Sequence, residues 1–246
     1  MRGLLLYCSH LHGTSPNRYS AYVFIVLVDD YIAFYSALKN SGNLRGSVRF
    51  ISTMAHILPP NVIAYSPEED TGRVAKCNVV TRNHLERALG PRPKDHYLLS
   101  RLVQRMALIW VASDEDREWV EAVMAGARAR VLMWMAPYLT EPVNADGLGR
   151  RILEVCYRGE FRPEATDRHK HTYEAQTDHF LEVLGPVLSN AEQQGIMIAE
   201  EGRYRLTAPS STWETLRWQV HFMRSKVRMG IRTLKHTVTF EEWLPY

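Results

Sequence analysis

Two carboxylates, Asp29 and Asp30, follow an unbroken apolar run, AYVFIVLV, and Ser9 lies in a polar turn, CSHLHGTSPNRYS, behind a shorter run, GLLLY. An apolar strand, a small-residue turn and a second strand ending in carboxylates is how a nucleotidyltransferase is built. Backbone N–H groups of the turn hold triphosphate oxygens, and the carboxylates hold the magnesium that bridges them. On this reading Ser9 contacts phosphate, while Asp29 and Asp30 are catalytic metal ligands. Acidic pairs after strands also serve as plain turn or cap residues, and the sequence leaves both roles open. Lys76, inside RVAKCNVV, suits a triphosphate as a point charge, or is a solvated lysine on the wet side of an alternating strand. Cys8, His10 and His12 look superficially like metal ligands, but no CxxC or HExxH accompanies them, so no zinc site is expected. The run RHKHTY reads as a solvated loop, and Trp110, Trp119 and Trp134 read as core.

Four longer stretches carry a resemblance. They are VDDYIAFYSALKN; GRVAKCNVVTRNHLERAL; YLLSRLVQRMALIW, with Tyr97 and Arg101; and CYRGEFRPE, with Tyr157, Gly159, Glu160, Phe161 and Arg162. In order and spacing the chain resembles a divergent member of the mitochondrial-type phosphatidate cytidylyltransferases, the CDP-diacylglycerol synthases of the translocator assembly and maintenance family, over about residues 4–185. The resemblance implies a nucleotidyltransferase-like domain followed by a winged-helix domain, with CTP and Mg2+ between them. The implied reaction is attack of the phosphatidate phosphate on the α-phosphorus of CTP, releasing pyrophosphate, with catalysis by positioning and charge neutralisation.

Carried over residue by residue, Lys76, Asp29 and Asp30 are the catalytic set, and Ser9, Arg101, Arg162 and Glu160 bind nucleotide or phosphate. Arg162 would clamp a phosphate bidentately; Glu160 and Arg162 also read as a surface pair. Two positions depart from the family pattern. Cys8 stands where a glycine would let backbone approach phosphate, and Val23 stands where the family has a strand aspartate. A member that binds nucleotide or lipid without turnover is therefore the alternative. The implied location is cytoplasmic and peripheral to a membrane, on the matrix side of the inner mitochondrial membrane in a eukaryote.

The elements that must position these residues read as α/β first and helical later. Strands are expected at GLLLY and AYVFIVLV, a helix at YIAFYSALKN, and a hairpin from NVIAYS through PEEDTG to RVAKCNVV. VRFISTMAHIL is ambiguous, and HLERAL is a short helix. From Asp95 the pattern turns helical: one helix starts at Ser113 and Asp116 and runs to Pro137, a second covers 149–156, and a third covers 173–194 with a bend at Gly185-Pro186. GIMIAEEGRYRLTA reads as a hairpin turning at Glu201-Gly202, which suggests a winged-helix-like second domain. The fold expected is an α/β nucleotidyltransferase-like domain (1–94), a mostly helical, winged-helix-like domain (95–207) and a basic amphipathic helix with an aromatic tail (208–246).

That last helix opens on a Ser211–Glu214 capping box. Leu216, Val220, Met223, Val227, Ile231 and Leu234 form one stripe, with Arg217, Arg224, Lys226, Arg228, Arg232 and Lys235 around it. It either packs its stripe on the domain or lies on an anionic membrane surface, helped by Phe240, Trp243 and Tyr246. The 246 residues, 46% hydrophobic and 23% charged, allow a real core. A net charge of +3 is too weak to signal nucleic acid. A winged-helix nucleic-acid-binding protein is the alternative from another class, but mixed charge over 144–195 argues against a base-reading helix, so CTP, phosphatidate and anionic lipid are the expected partners, with no nucleic acid. Three scattered cysteines give no disulfide framework. The longest apolar run is far short of the ~20 residues of a membrane span. MRGLLLYCSH is too short for a secretory signal and begins abruptly at a strand, so an upstream segment is expected to be missing.

Overall fold

The computed structural model describes residues 1–7, 9–13, 20–44, 46–65, 74–90, 97–158 and 167–240, with side chains at all of these except Ser9, Tyr97, Ser100, Leu102 and 232–240. The central strand, β2 (Tyr22–Val28), is apolar at every position. Such a strand needs a partner on each edge and cover on each face. On one edge β1 (Gly3–Leu6) runs antiparallel, with Gly3 opposite Leu27 and Leu6 opposite Phe24. On the other edge β4 (Ala75–Thr81) runs parallel, with Tyr22 opposite Ala75 and Val28 opposite Thr81. β3 (Asn61–Tyr65) pairs antiparallel with β4, as the expected hairpin requires, although its turn lies outside the described residues. β5 (Ala107–Val111) pairs antiparallel with β1. The order is β3-β4-β2-β1-β5.

Helices α1 (Ser9–His12), α2 (Tyr31–Asn40), α3 (Val48–Ile57) and α4 (Arg82–Leu89) are inserted between these strands. The ambiguous VRFISTMAHIL resolves as α3 because Ser47 caps it, accepting from the Phe50 N–H, and because Ile51, Ser52 and Ala55 are buried on one face. Val26, Val28, Tyr31, Tyr35, Ile51, Ala55 and Val79 make one buried cluster. Two tyrosine hydroxyls are carried into it with partners. The Tyr35 hydroxyl accepts from Asn61 Nδ2 at 2.8 Å, and that of Tyr31 accepts from the Thr81 N–H at 3.3 Å and meets His84 Nδ1 at 3.0 Å. Burial pushes the Tyr31 phenol up to about 12 and raises Tyr35 further, so both stay neutral.

Downstream the chain is largely helical: α5 (Tyr97–Val103), α6 (Asp114–Ala129), α7 (Val131–Met135), a 3-10 turn at Ala136–Tyr138, α8 (Ala145–Arg158), α9 (Arg168–Glu174), α10 (Thr177–Gln193) and α11 (Thr212–Phe240). The hairpin β6 (Met197–Glu200) and β7 (Arg203–Leu206) forms at the expected place, turning through Glu201 and Gly202 at φ 50° and 78°. Four expectations are corrected. ALIWV, assigned to the helical region, is β5. The long helix to Pro137 breaks at Arg130 into α6 and α7. RHKHTY is α9, whose buried Thr172 and Tyr173 tie it to neighbours. The third helix begins only at Thr177, after α9 has ended, and Pro186 lies inside it.

By contacts the chain forms two compact units. Met1–Arg87, Met106–Glu121 and the chain from Gly230 onward make one; Ala88–Arg105 and Ala122–Met229 make the other. A single boundary near residue 94 does not describe this division, because β5 and the start of α6 return to the sheet.

In the helical unit, Gly149 of α8 is where backbone meets aromatic rings. A Cβ there would lie 2.6 Å from the Tyr173 ring and 3.2 Å from Phe180. Tyr173 cannot yield readily: it stacks on Phe180 at 5.2 Å, donates to Asp146 Oδ1 at 2.9 Å and has the Arg150 guanidinium over its other face. Gly149→Ala is therefore expected to cost ~1–3 kcal/mol by overpacking, despite alanine's better helix propensity. Urea denaturation should show a lower midpoint at unchanged slope, and an unchanged midpoint would refute the crowding.

Candidate functional site

The sheet decides which expected site residues can meet. β1 leads through Tyr7, whose N–H donates to Val23 O at 2.9 Å, into α1, which opens at Ser9. In the β2–β4 ladder Val23 stands opposite Lys76. Ser9, Val23 and Lys76 therefore share one end of the sheet, and Lys76 is exposed there. The His10 ring stacks on Tyr22 at 4.2 Å, and its Nε2 is 2.8 Å from Ser20 O.

Asp29 and Asp30 lie at the opposite end of β2. Six residue steps lead from Val23 to Asp29, roughly 20 Å at ~3.3 Å per residue. Both carboxylates also have structural employment. Asp30 caps α2, accepting from the Ala33 N–H at 2.8 Å, and Asp29 accepts from Arg2 Nε at 2.7 Å. The pair does not fit a magnesium site beside Ser9 and Lys76, so the expected catalytic grouping is corrected. The strand that connects these residues also holds them apart.

The remaining expected residues fall elsewhere. Arg101 sits on α5 in the helical unit and is buried, 5% exposed. Tyr157, on α8, meets Thr172 Oγ1 at 3.1 Å. Cys8, Gly159, Glu160, Phe161 and Arg162 lie outside the described residues. No group of three or more His, Cys, Asp or Glu gathers among the described residues.

Beside Asp29 is a carboxylate that the sequence showed only as a helix-start residue. Asp116 of α6 is buried, accepts from Arg82 Nη2 and from Ser113 Oγ at 2.9 Å, and has Arg2 Nη1 at 3.8 Å. Arg82 lies over the Trp119 ring at 4.7 Å, and Trp119 Nε1 donates to Glu86 at 2.8 Å. This network fastens α6 to the start of α4 and to the strand β1. Its chemistry is structural: Asp29 and Asp116 are matched by Arg2 and Arg82, and Glu86 accepts from the Trp119 indole.

The most distinctive surface is on α11. Its capping box forms, with the Ser211 N–H donating to Glu214 Oε2 and the Glu214 N–H donating to Ser211 Oγ, each at 3.2 Å. The helix packs through Trp218 and Ser225, 7% and 3% exposed. Seven residues apart, they share one side, and two residues of advance, ~200°, place the opposite side at Leu216, Val220, Met223 and Val227. Those four, with Trp213 and Ile231, are each between 48% and 74% exposed. The apolar stripe therefore faces solvent. Phe240 has no described side chain, and Trp243 and Tyr246 lie outside the described residues.

No family model matches the chain, and no curated protein matches it. The resemblance to the mitochondrial-type phosphatidate cytidylyltransferases is thus not upheld, and the order of its blocks carries no family assignment. Among the described residues, no helix is long and apolar enough to cross a membrane.

Asp116→Ala should cost about 2–3 kcal/mol, less than the ~3–5 of a fully buried pair because Arg82 keeps 31% exposure. Asp29→Ala, in an exposed pair, should cost no more than ~1 kcal/mol. Equal losses in urea denaturation would contradict this ranking.

Proposed function

We propose that this protein binds anionic membrane surfaces, with α11 lying in the interface as its lipid-contacting element. One observation carries the reading: the apolar stripe of α11 is turned outward, opposite the face that packs. Between residues 215 and 240 the sequence holds Arg217, Arg224, Lys226, Arg228, Arg232 and Lys235 and no Asp or Glu. An exposed stripe beside an all-cationic flank matches an interface of hydrocarbon below and phosphate above. Each half-exposed apolar side chain moved out of water contributes on the order of 1 kcal/mol, and each cation near an anionic surface ~1 kcal/mol.

Two rival occupants fit less well. A second α11 packed on the stripe would set like charges beside one another, since this helix has no acid to offer beyond its first turn. Nucleic acid would use the cations and leave Val220, Met223 and Val227 in water.

A second reading is favoured by the ladder that sets Lys76 beside Val23 at the Ser9 end of the sheet. The α/β unit is then nucleotidyltransferase-like and transfers a cytidylyl group from CTP to phosphatidate at the membrane, or binds nucleotide without turnover. The helices and hairpin after it would form the winged-helix-like part.

Flotation with vesicles containing phosphatidylserine tests the first reading. Binding should fall steeply as salt rises, and Val220→Asp combined with Val227→Asp should weaken it on the order of 100-fold, about 2.7 kcal/mol. Equal binding to neutral vesicles, or wild-type flotation of the double variant, would remove α11 from the contact. For the second reading, labelled CTP with magnesium and phosphatidate vesicles should yield a lipid-soluble product that Lys76→Ala abolishes and Asp29→Asn spares. A product that survives Lys76→Ala would dismiss the lysine.

A further inference from the structure

The helical unit also contains a cleft of about 390 Å3, within the ~300–1,000 Å3 of small-molecule sites. Leu132, Met133, Val187, Leu206 and Trp218 give it an apolar wall, drawn from α7, α10, β7 and the packed side of α11. Its polar lining is sparse and specific. Asn190 and Gln194 are bonded to each other, Gln194 Nε2 donating to Asn190 Oδ1 at 3.1 Å, and Ser210 and Glu214 stand across from them in sequence at the start of α11.

Charge and size restrict what can enter. Among the described residues, Glu214 is the single ionisable group in the lining, and no Lys, Arg or His accompanies it. A phosphate or carboxylate head would be brought beside the Glu214 carboxylate, whose Oε2 already accepts from the Ser211 N–H and hydroxyl, whereas a hydroxyl head can donate to the remaining carboxylate oxygen or to Asn190 Oδ1. The cleft's volume lies near the low end of the range for small-molecule sites. That suits one alkyl chain rather than a two-chain phospholipid.

We infer that this cleft binds the alkyl chain of a single-chain, uncharged, hydroxyl-bearing lipid. The site stands apart from the membrane reading, because the cleft lies on the packed side of α11 and the interfacial stripe on the other. Lipid chemistry on the two sides of one helix is selected by opposite signs: cations flank the outer face, and the Glu214 carboxylate lines the inner one.

Equilibrium dialysis of radiolabelled 1-monolauroylglycerol and of laurate, both below their micellar concentrations, tests the assignment. The glycerol ester should bind with one-to-one stoichiometry, and laurate at least about tenfold more weakly. Ala129 lines the cleft from an exposed position, so Ala129→Phe fills it without crowding the core and should reduce ester binding more than about tenfold. Glu214→Gln, which keeps a capping side chain, should raise laurate binding several-fold, a gain that misfolding cannot imitate. The Val220→Asp, Val227→Asp variant should bind the ester normally even though it fails to float. No ester binding, equal binding of laurate, indifference to Ala129→Phe, no gain in Glu214→Gln, or loss in the stripe variant would each overturn the proposal.

Discussion

The parallel ladder between β2 and β4 is the constraint on which the α/β unit depends. The pairing runs unbroken along all seven residues of β2, from Tyr22 against Ala75 to Val28 against Thr81. Once Tyr22 is set against Ala75, the rest follows: Val23 meets Lys76 at one end, and Val28 meets Thr81 at the other. The charged residues are thereby sorted into two groups that the strand's own length keeps apart. At the far end, Asp29, Asp30 and Asp116 are spent on Arg2, on the first turn of α2 and on Arg82. The same rigidity that makes β2 a dependable scaffold denies its terminal acids to the opposite end.

In α11 the usual division of labour is inverted. An amphipathic helix normally buries its apolar stripe and wets its polar face, yet here a tryptophan and a serine do the packing while valine, leucine and methionine face outward. Trp218 explains how this is possible. A single large ring can hold a helix in place, with its carbonyl accepting from the Tyr138 hydroxyl at 3.2 Å, so the stripe is not needed for anchorage. The cleft and the stripe then belong to one helix as separate surfaces.

Much of the fold was legible in the sequence, and the failures have physical causes. GLLLY, AYVFIVLV and the NVIAYS–RVAKCNVV pair gave strands because their periodicity and turn residues agree. The Ser211–Glu214 capping box and the Glu201-Gly202 turn were equally plain. ALIWV was absorbed into a helical stretch because five residues cannot distinguish periods of 2 and 3.6, and its partner, β1, lies a hundred residues earlier. The break at Arg130 has no proline or glycine to announce it. For the site, sequence found the stripe but could not say which way it faced, since periodicity defines a face and tertiary packing decides its neighbour. It also took an N-cap aspartate for a metal ligand. The cleft left no sequence signal, being assembled from residues of six separate elements spread along the chain.

The pairing of β1 with β5 has a consequence for how the protein is made. In synthesis β1 emerges ahead of both its partners, and its inner edge can be satisfied by β2 soon afterwards. Its outer edge waits for Ala107–Val111, so a nascent chain carries an open, apolar hydrogen-bonding edge through a long interval of translation. Such edges are templates for pairing with other chains, and the wait marks the stage of biogenesis at which chaperone cover matters most.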